Sequence, residues 1–262
     1  MITMKGAAVS AKLKEQVEKG LETLTWVPKL TIIRVGENPD DISYEKGATK
    51  KLTSFGLEVE LKVFPGDISD EAFKKEFAAI NADASVDGIL MLRPLPKQIN
   101  EQDIEKMIDP AKDLDGISPV NIAKVFSGDT SGFAPCTAEA VVCMLKMNDI
   151  ALSGKRVAVV GRSMVVGRPL SMLLLHENAT VTICHSRTAS LPEVCREADI
   201  LTACVGKAAM INHTYVKKDA VVIDVGINVD ENGKLCGDVD FADLECEASA
   251  KSVTVWASFM PV

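Results

Sequence analysis

Three stretches of this 262-residue chain carry residue types that could do chemistry. The segment PDDISYEKGATKK (39–51) sets an aromatic hydroxyl, Tyr44, among charges, and KDLDG (112–116) offers two carboxylates, Asp113 and Asp115. The third, VAVVGRSMVVGRPLSMLLL (157–175), reads as an apolar strand ending at Gly161, a short loop, and an apolar helix opened by Gly167 with Pro169 near its first turn. Glycines at such a turn let backbone approach a phosphate, and the free N–H groups of a helix start attract it. The spacing departs from G-x-G-x-x-G, so on spacing alone a phosphate-binding turn and an ordinary glycine-rich strand–helix turn both fit. The next strand favours the first. ATVTICHSRT (179–188) ends in His185, Ser186 and Arg187 instead of the acid that would hold the ribose hydroxyls of NAD. With Arg162, it supplies two cations and a hydroxyl where the 2′-phosphate of NADP would lie, so NADP is the expected cofactor.

Elements of alternating type must position these residues. In the first half, KLTIIRVG (29–36), EVELKVFP (58–65) and DGILMLRP (87–94) read as strands, the last cut off by Pro94 and Pro96. Helical patterns lie between them, from about Asp40 and over 69–80, and Leu13, Val17, Leu21 and Leu24 form an earlier helical stripe with Ser10 as N-cap. In the second half, KRVAVVG (155–161), ATVTIC (179–184), DILTACVG (199–206) and AVVIDVG (220–226) are near-continuous apolar runs. Such runs mark strands buried on both faces, as in a parallel sheet covered by helices. A connecting helix is expected around 137–148. The fold class is therefore α/β, with two α/β domains, the C-terminal one a Rossmann-like parallel sheet.

Composition narrows the function classes. A net charge of −8 argues against nucleic acid or an anionic membrane as partner. The seven cysteines are odd in number and form no CxxC pair, which speaks against a disulfide framework or a zinc site. Neither a signal peptide nor a membrane-spanning run is legible, so the expected setting is a reducing cytoplasm.

GRSMVVGRP and ATVTICHSRT, together with KDLDG (112–116), PCT (135–137), PLP (94–96) and VIDVGIN (222–228), resemble the methylenetetrahydrofolate dehydrogenase/cyclohydrolase family. The motifs follow the family's order along nearly the whole chain. The resemblance implies an N-terminal folate-binding catalytic domain (1–137), a C-terminal NADP-binding Rossmann-like domain (138–262), a cleft between them, and a homodimer acting on tetrahydrofolate derivatives. It assigns Gly161, Arg162, Ser163, Gly167, Ser186, Arg187 and Ile227 to the cofactor. Tyr44 would pack against the substrate's aminobenzoate region, Asp115 would hydrogen-bond the pterin ring, and Pro94 would line the folate site; Tyr44 and Asp115 would serve catalysis. Asp113 reads as structural.

Three departures stand out. The family reads Y-x-x-x-K, but the lysine position is Ala48; it reads G-I-L-V-Q-L-P-L-P, but the glutamine position is Leu92. Past P-V the family continues into a glycine-rich loop that helps close over the cofactor, whereas here the sequence reads Met260, Pro261, Val262. Lys46, Lys50, Lys51 and Arg93 lie near the altered positions, and each reads as solvated surface charge. Removal of hydride from the methylene carbon of 5,10-methylenetetrahydrofolate needs no general base, whereas hydrolysis of the methenyl product needs protons moved. The expectation is an NADP-dependent dehydrogenase whose cyclohydrolase activity is weak or lost. The alternatives are a bifunctional enzyme and a silent NADP-binding module.

Overall fold

The structure, a computed structural model, describes residues 2–3, 6–246 and 254–257; the departures at Met260 to Val262 lie outside them. In order the elements are β1 (Ile2–Thr3), α1 (Gly6–Leu21), β2 (Lys29–Val35), α2 (Pro39–Ser54), β3 (Glu58–Phe64), α3 (Asp70–Ala82), β4 (Gly88–Met91), α4 (Glu101–Met107), α5 (Pro119–Ser127) and α6 (Cys136–Met147). There follow β5 (Arg156–Val160), α7 (Gly167–His176), β6 (Thr180–Cys184), α8 (Leu191–Arg196), β7 (Ile200–Ala203), a 3-10 turn (His213–Tyr215), β8 (Val221–Asp224), β9 (Asn228–Val229), β10 (Leu235–Cys236), α9 (Phe241–Cys246) and β11 (Thr254–Ala257).

The chain forms two compact units. Residues 11–136 make one, around a parallel sheet ordered β3-β2-β4. Its core gathers Ile33, Phe73, Phe77, Ile89 and Ile104, none more than 1% exposed. Truncating either phenylalanine would cost about 3–5 kcal/mol. Local chemistry starts the helices where they are needed. The Asn38 side chain accepts from Asp40 N–H and Pro39 occupies the first turn of α2, while Ser69 Oγ accepts from Ala72 N–H to open α3.

The other unit joins β1 and the start of α1 to the described residues from Thr137 onward. Its six-stranded sheet runs β1-β11-β8-β7-β5-β6, parallel throughout. β5 pairs with β6 on one side and β7 on the other, and β7 leads on to β8, so the connections leaving β5 and β7 diverge. That divergence opens a crevice at the carboxyl ends of the strands, where open α/β sheets take their ligands.

Some expectations require correction. The first helix begins at Gly6, so Ser10 lies inside it and is not its cap, and Leu24 falls beyond its end. The Gly-Ala-Ala-Val run is helix-compatible and extends the first turn. β4 is only four residues long. β5, β7 and β8 are almost wholly buried, but β6 has Thr180, Thr182 and Ile183 exposed, because an edge strand has sheet on only one side.

Candidate functional site

Tyr44 owes its placement to its neighbour. α2 is held on β2 by a buried ion pair in which Arg34 Nε lies 2.7 Å from Glu45 Oε2, with both side chains under 10% exposed. Arg34 also donates to the Gly36 carbonyl. Its guanidinium pKa is raised, chiefly by the hydrogen bond to Glu45. With Glu45 turned inward, Tyr44, one residue or about 100° round the helix, stands 55% exposed. Its phenol is raised above the usual range first by loss of solvation, then by the negative fields of Cys136 and Asp115. Tyr44 is thus within electrostatic reach of Asp115 and Cys136, which meet through the Cys136 N–H.

The two aspartates of KDLDG divide their labour. Asp113 is fully buried and accepts from Ile117 N–H (3.0 Å), Ser118 N–H (2.8 Å) and the Asn121 amide (2.9 Å), which makes it the structural hub of that turn. Asp115 is partly open. Its Oδ1 accepts from Cys136 N–H at 3.2 Å and its Oδ2 lies 3.4 Å from Arg93 Nη2. Arg93 thus contradicts its reading as solvated charge: its side chain is 15% exposed and also meets Glu101 and Glu105. Alternation along a strand gave no guide to it, because β4 has already ended at Met91. Lys51 is corrected too, being half-buried with its ammonium 5.5 Å from the Phe55 ring centre. Lys46 and Lys50 are exposed as expected. Ala48 is half-buried, Leu92 is buried with its N–H donating to the Ile33 carbonyl, and Pro94 is exposed after a cis peptide bond.

In the second unit the loop between β5 and α7 lies at the diverging connections. A Cβ on Gly161 would sit 2.4 Å from the Cys204 carbonyl oxygen, and one on Gly167 would sit 2.2 Å from the Gly161 carbonyl oxygen. Only glycine allows the loop to fold back on itself this closely. Ser163 Oγ accepts from Val166 N–H, while the N–H groups of Ser163, Met164 and Val165 make no hydrogen bond among the described residues. Arg162, Ser186 and Arg187 are exposed, and neither arginine has an ion-pair partner among the described residues. A glycine cradle, open N–H groups at a helix start and unpaired cations fit a phosphorylated dinucleotide. Ile227 is 62% exposed. The Cys204 thiol beside the cradle is pushed up to about 12 by burial, then by Asp238, so it stays a thiol and is no nucleophile.

Sequence reasoning passed over the groups that hold this region in shape. Asp238, fully buried, accepts from Val205 N–H (2.6 Å), Gly206 N–H (3.1 Å), Lys207 N–H (2.7 Å) and the Asn228 amide (3.0 Å). It thereby fixes the loop after β7 to the segment carrying Ile227. Asp224 accepts from Asp238 N–H and Val239 N–H, and burial raises its carboxyl to about 7. Signals existed for both. Asp224 interrupts the apolar run VVIDVG, Asp238 stands between Gly237 and Val239, and Arg34 likewise interrupts TIIRVG. A charge inside an apolar run needs a partner.

Residues 4–115 match the family model described as tetrahydrofolate dehydrogenase/cyclohydrolase, catalytic domain, and residues 135–255 match its NAD(P)-binding domain. The bifunctional protein FolD of Clostridium kluyveri is 50% identical over 242 residues, covering 91% of this chain and 85% of that protein. That of Clostridioides difficile is 52% identical over 240 residues, covering 90% and 84%. Among solved structures, the bifunctional FolD methylenetetrahydrofolate dehydrogenase/cyclohydrolase of Campylobacter jejuni superposes with a TM-score of 0.92 at 34% identity, covering 98% of this chain and 91% of that one. The Trypanosoma brucei methylenetetrahydrofolate dehydrogenase-cyclohydrolase, complexed with NADP cofactor and inhibitor, superposes with a TM-score of 0.83 at 28% identity, covering 95% and 86%.

Proposed function

Because the chain belongs to the tetrahydrofolate dehydrogenase/cyclohydrolase family, we propose that it oxidises 5,10-methylenetetrahydrofolate with NADP and is at best a poor cyclohydrolase. The unit of residues 11–136 would handle the folate and the unit from Thr137 onward, with β1, the cofactor. When bound, NADP supplies the hydride acceptor. Gly161, Ser163 and Gly167 would cradle the pyrophosphate, with Arg162, Ser186 and Arg187 at the 2′-phosphate and Ile227 on the nicotinamide side. Tyr44 would pack on the aminobenzoate region, Asp115 would hold the pterin and Pro94 would line the site. These residues bind and orient; the protein's task in the hydride step is positioning.

The observation that carries the cyclohydrolase reading is the pair Ala48 and Leu92. Hydrolysis of the methenyl cation needs protons moved as water attacks and the ring opens. Ala48 has no functional group, and Leu92, 8% exposed, neither donates nor accepts through its side chain. The two changes suit each other, since a glutamine buried at 92 without an amine partner would cost about 1–3 kcal/mol. A second reading, retention of both activities, is favoured by the relatives near 50% identity, which are named as bifunctional.

One sample decides between them: reduced-cofactor formation and methenyl-folate hydrolysis are followed separately. Hydrolysis turnover comparable to dehydrogenase turnover would overturn our reading. The double change Ala48→Lys with Leu92→Gln should raise hydrolysis more than either change alone. We also read the protein as a homodimer, on the exposed Leu61 and Val63 of edge strand β3 and Ile183 of edge strand β6; light scattering after gel filtration tests this.

A further inference from the structure

We propose that Arg93 is a positioning residue for the folate site, aiming the Asp115 carboxylate at the pterin. This rests on the reading of Asp115 as the pterin-holding acid. The family pattern G-I-L-V-Q-L-P-L-P has a neutral leucine where this chain has Arg93. At 15% side-chain exposure this guanidinium is too withdrawn to serve as a solubilising charge. It faces three carboxylates, with Nη2 3.4 Å from Asp115 Oδ2 and Nη1 3.5 Å from both Glu101 Oε1 and Glu105 Oε1. Glu101 fixes the turn that carries Arg93, because its other oxygen accepts from Leu95 N–H at 2.9 Å.

The arginine therefore reaches Asp115 from a turn braced against α4. Asp115 is held from two directions, by the guanidinium on Oδ2 and by Cys136 N–H on Oδ1 at 3.2 Å. Two bonds to different oxygens fix the plane of a carboxylate, and its remaining lone pairs stay available to a ligand's N–H donors. Arg93 also puts a cation beside Asp115 in the unit whose family lysine position is Ala48. A lysine ammonium can be tuned to transfer protons, whereas a guanidinium keeps its proton in proteins. Arg93 thus supplies charge and orientation without acid–base chemistry, which suits a hydride-transfer site.

The test compares Arg93→Leu, Arg93→Lys, Asp115→Asn and the double variant Arg93→Leu/Asp115→Asn in steady-state dehydrogenase assays. Arg93→Leu should raise KM for methylenetetrahydrofolate about fivefold, the range of a partly screened ion pair. Its kcat and its KM for NADP should stay within about twofold, the pattern of lost uniform binding. Arg93→Lys should restore most of the folate KM. The double variant should be no worse than Asp115→Asn, since the two residues would act as one unit. Arg93→Gln replaces the leucine variant if that does not fold. If Asp115→Asn raises the folate KM and the neutral Arg93 variants do not, the link is wrong. If Asp115→Asn itself leaves the folate KM unchanged, the assignment of Asp115 fails and the proposal falls with it.

Discussion

The two units build their candidate sites by opposite means. In residues 11–136 the site is made of side chains held by ion pairs, Arg34 with Glu45 beneath Tyr44 and Arg93 with Asp115. In the other unit it is made of backbone, a loop closed by Gly161 and Gly167 and a second loop gripped by Asp238. A backbone cradle tolerates no change at its glycines. A site made of charges can move a charge and remain a site, and Ala48, Leu92 and Arg93 all fall there. These three altered positions thus fall where side chains set the chemistry, while Gly161 and Gly167 of the cradle are kept.

Four outcomes would break or sharpen this contrast. The largest belongs to the first unit: Glu45→Gln leaves Arg34 buried without its main partner and should cost about 3–5 kcal/mol in denaturant unfolding. A loss under about 1 kcal/mol would show that the pair does not hold α2.

The next concerns the buried carboxylates of the second unit. The Asp224 carboxyl is raised to about 7, against about 3.9 in an unfolded chain. Between those values the unfolded state gives up the proton and the folded state keeps it, so stability falls as pH rises from about 4 to about 7. Asp224→Asn should remove that component of the slope in Tm against pH; an unchanged slope would assign the titration elsewhere.

A smaller effect is expected at the cofactor. Arg162→Ala should weaken NADP binding by about 1.5–3 kcal/mol and leave NAD nearly unaffected, measured by calorimetry. Equal loss for both nucleotides would move Arg162 off the 2′-phosphate. Smallest of all, Lys51→Met removes the cation from above Phe55 and should cost about 0.5–1 kcal/mol of stability.

Legibility in the sequence followed the same division. The strands of the second unit were readable because burial on both faces writes an unbroken apolar run, and Gly161 and Gly167 were readable because only glycine satisfies the turn. Short elements, such as α4 and the β9–β10 pair, left no periodicity long enough to detect. The exposed face of β6 was misread because apolar content alone does not distinguish an edge strand from a central one. Arg93 was misread for a different reason. Its partners Glu101, Glu105 and Asp115 lie 8 to 22 positions away, and no local rule connects them. Tyr44 and Asp115 could be named from the resemblance, but their supports, Glu45 and Arg93, could not.

The pairing of β1 with β11 has a consequence for the order of folding. Ile2 lies opposite Thr254 and Thr3 opposite Val255, whereas β2, β3 and β4 pair within one stretch of chain. During synthesis, all three strands of the smaller sheet leave the ribosome before any of β5 to β8 is made, and domains emerging first tend to fold first. β1 must therefore wait, unpaired, until β11 has followed it out of the ribosome.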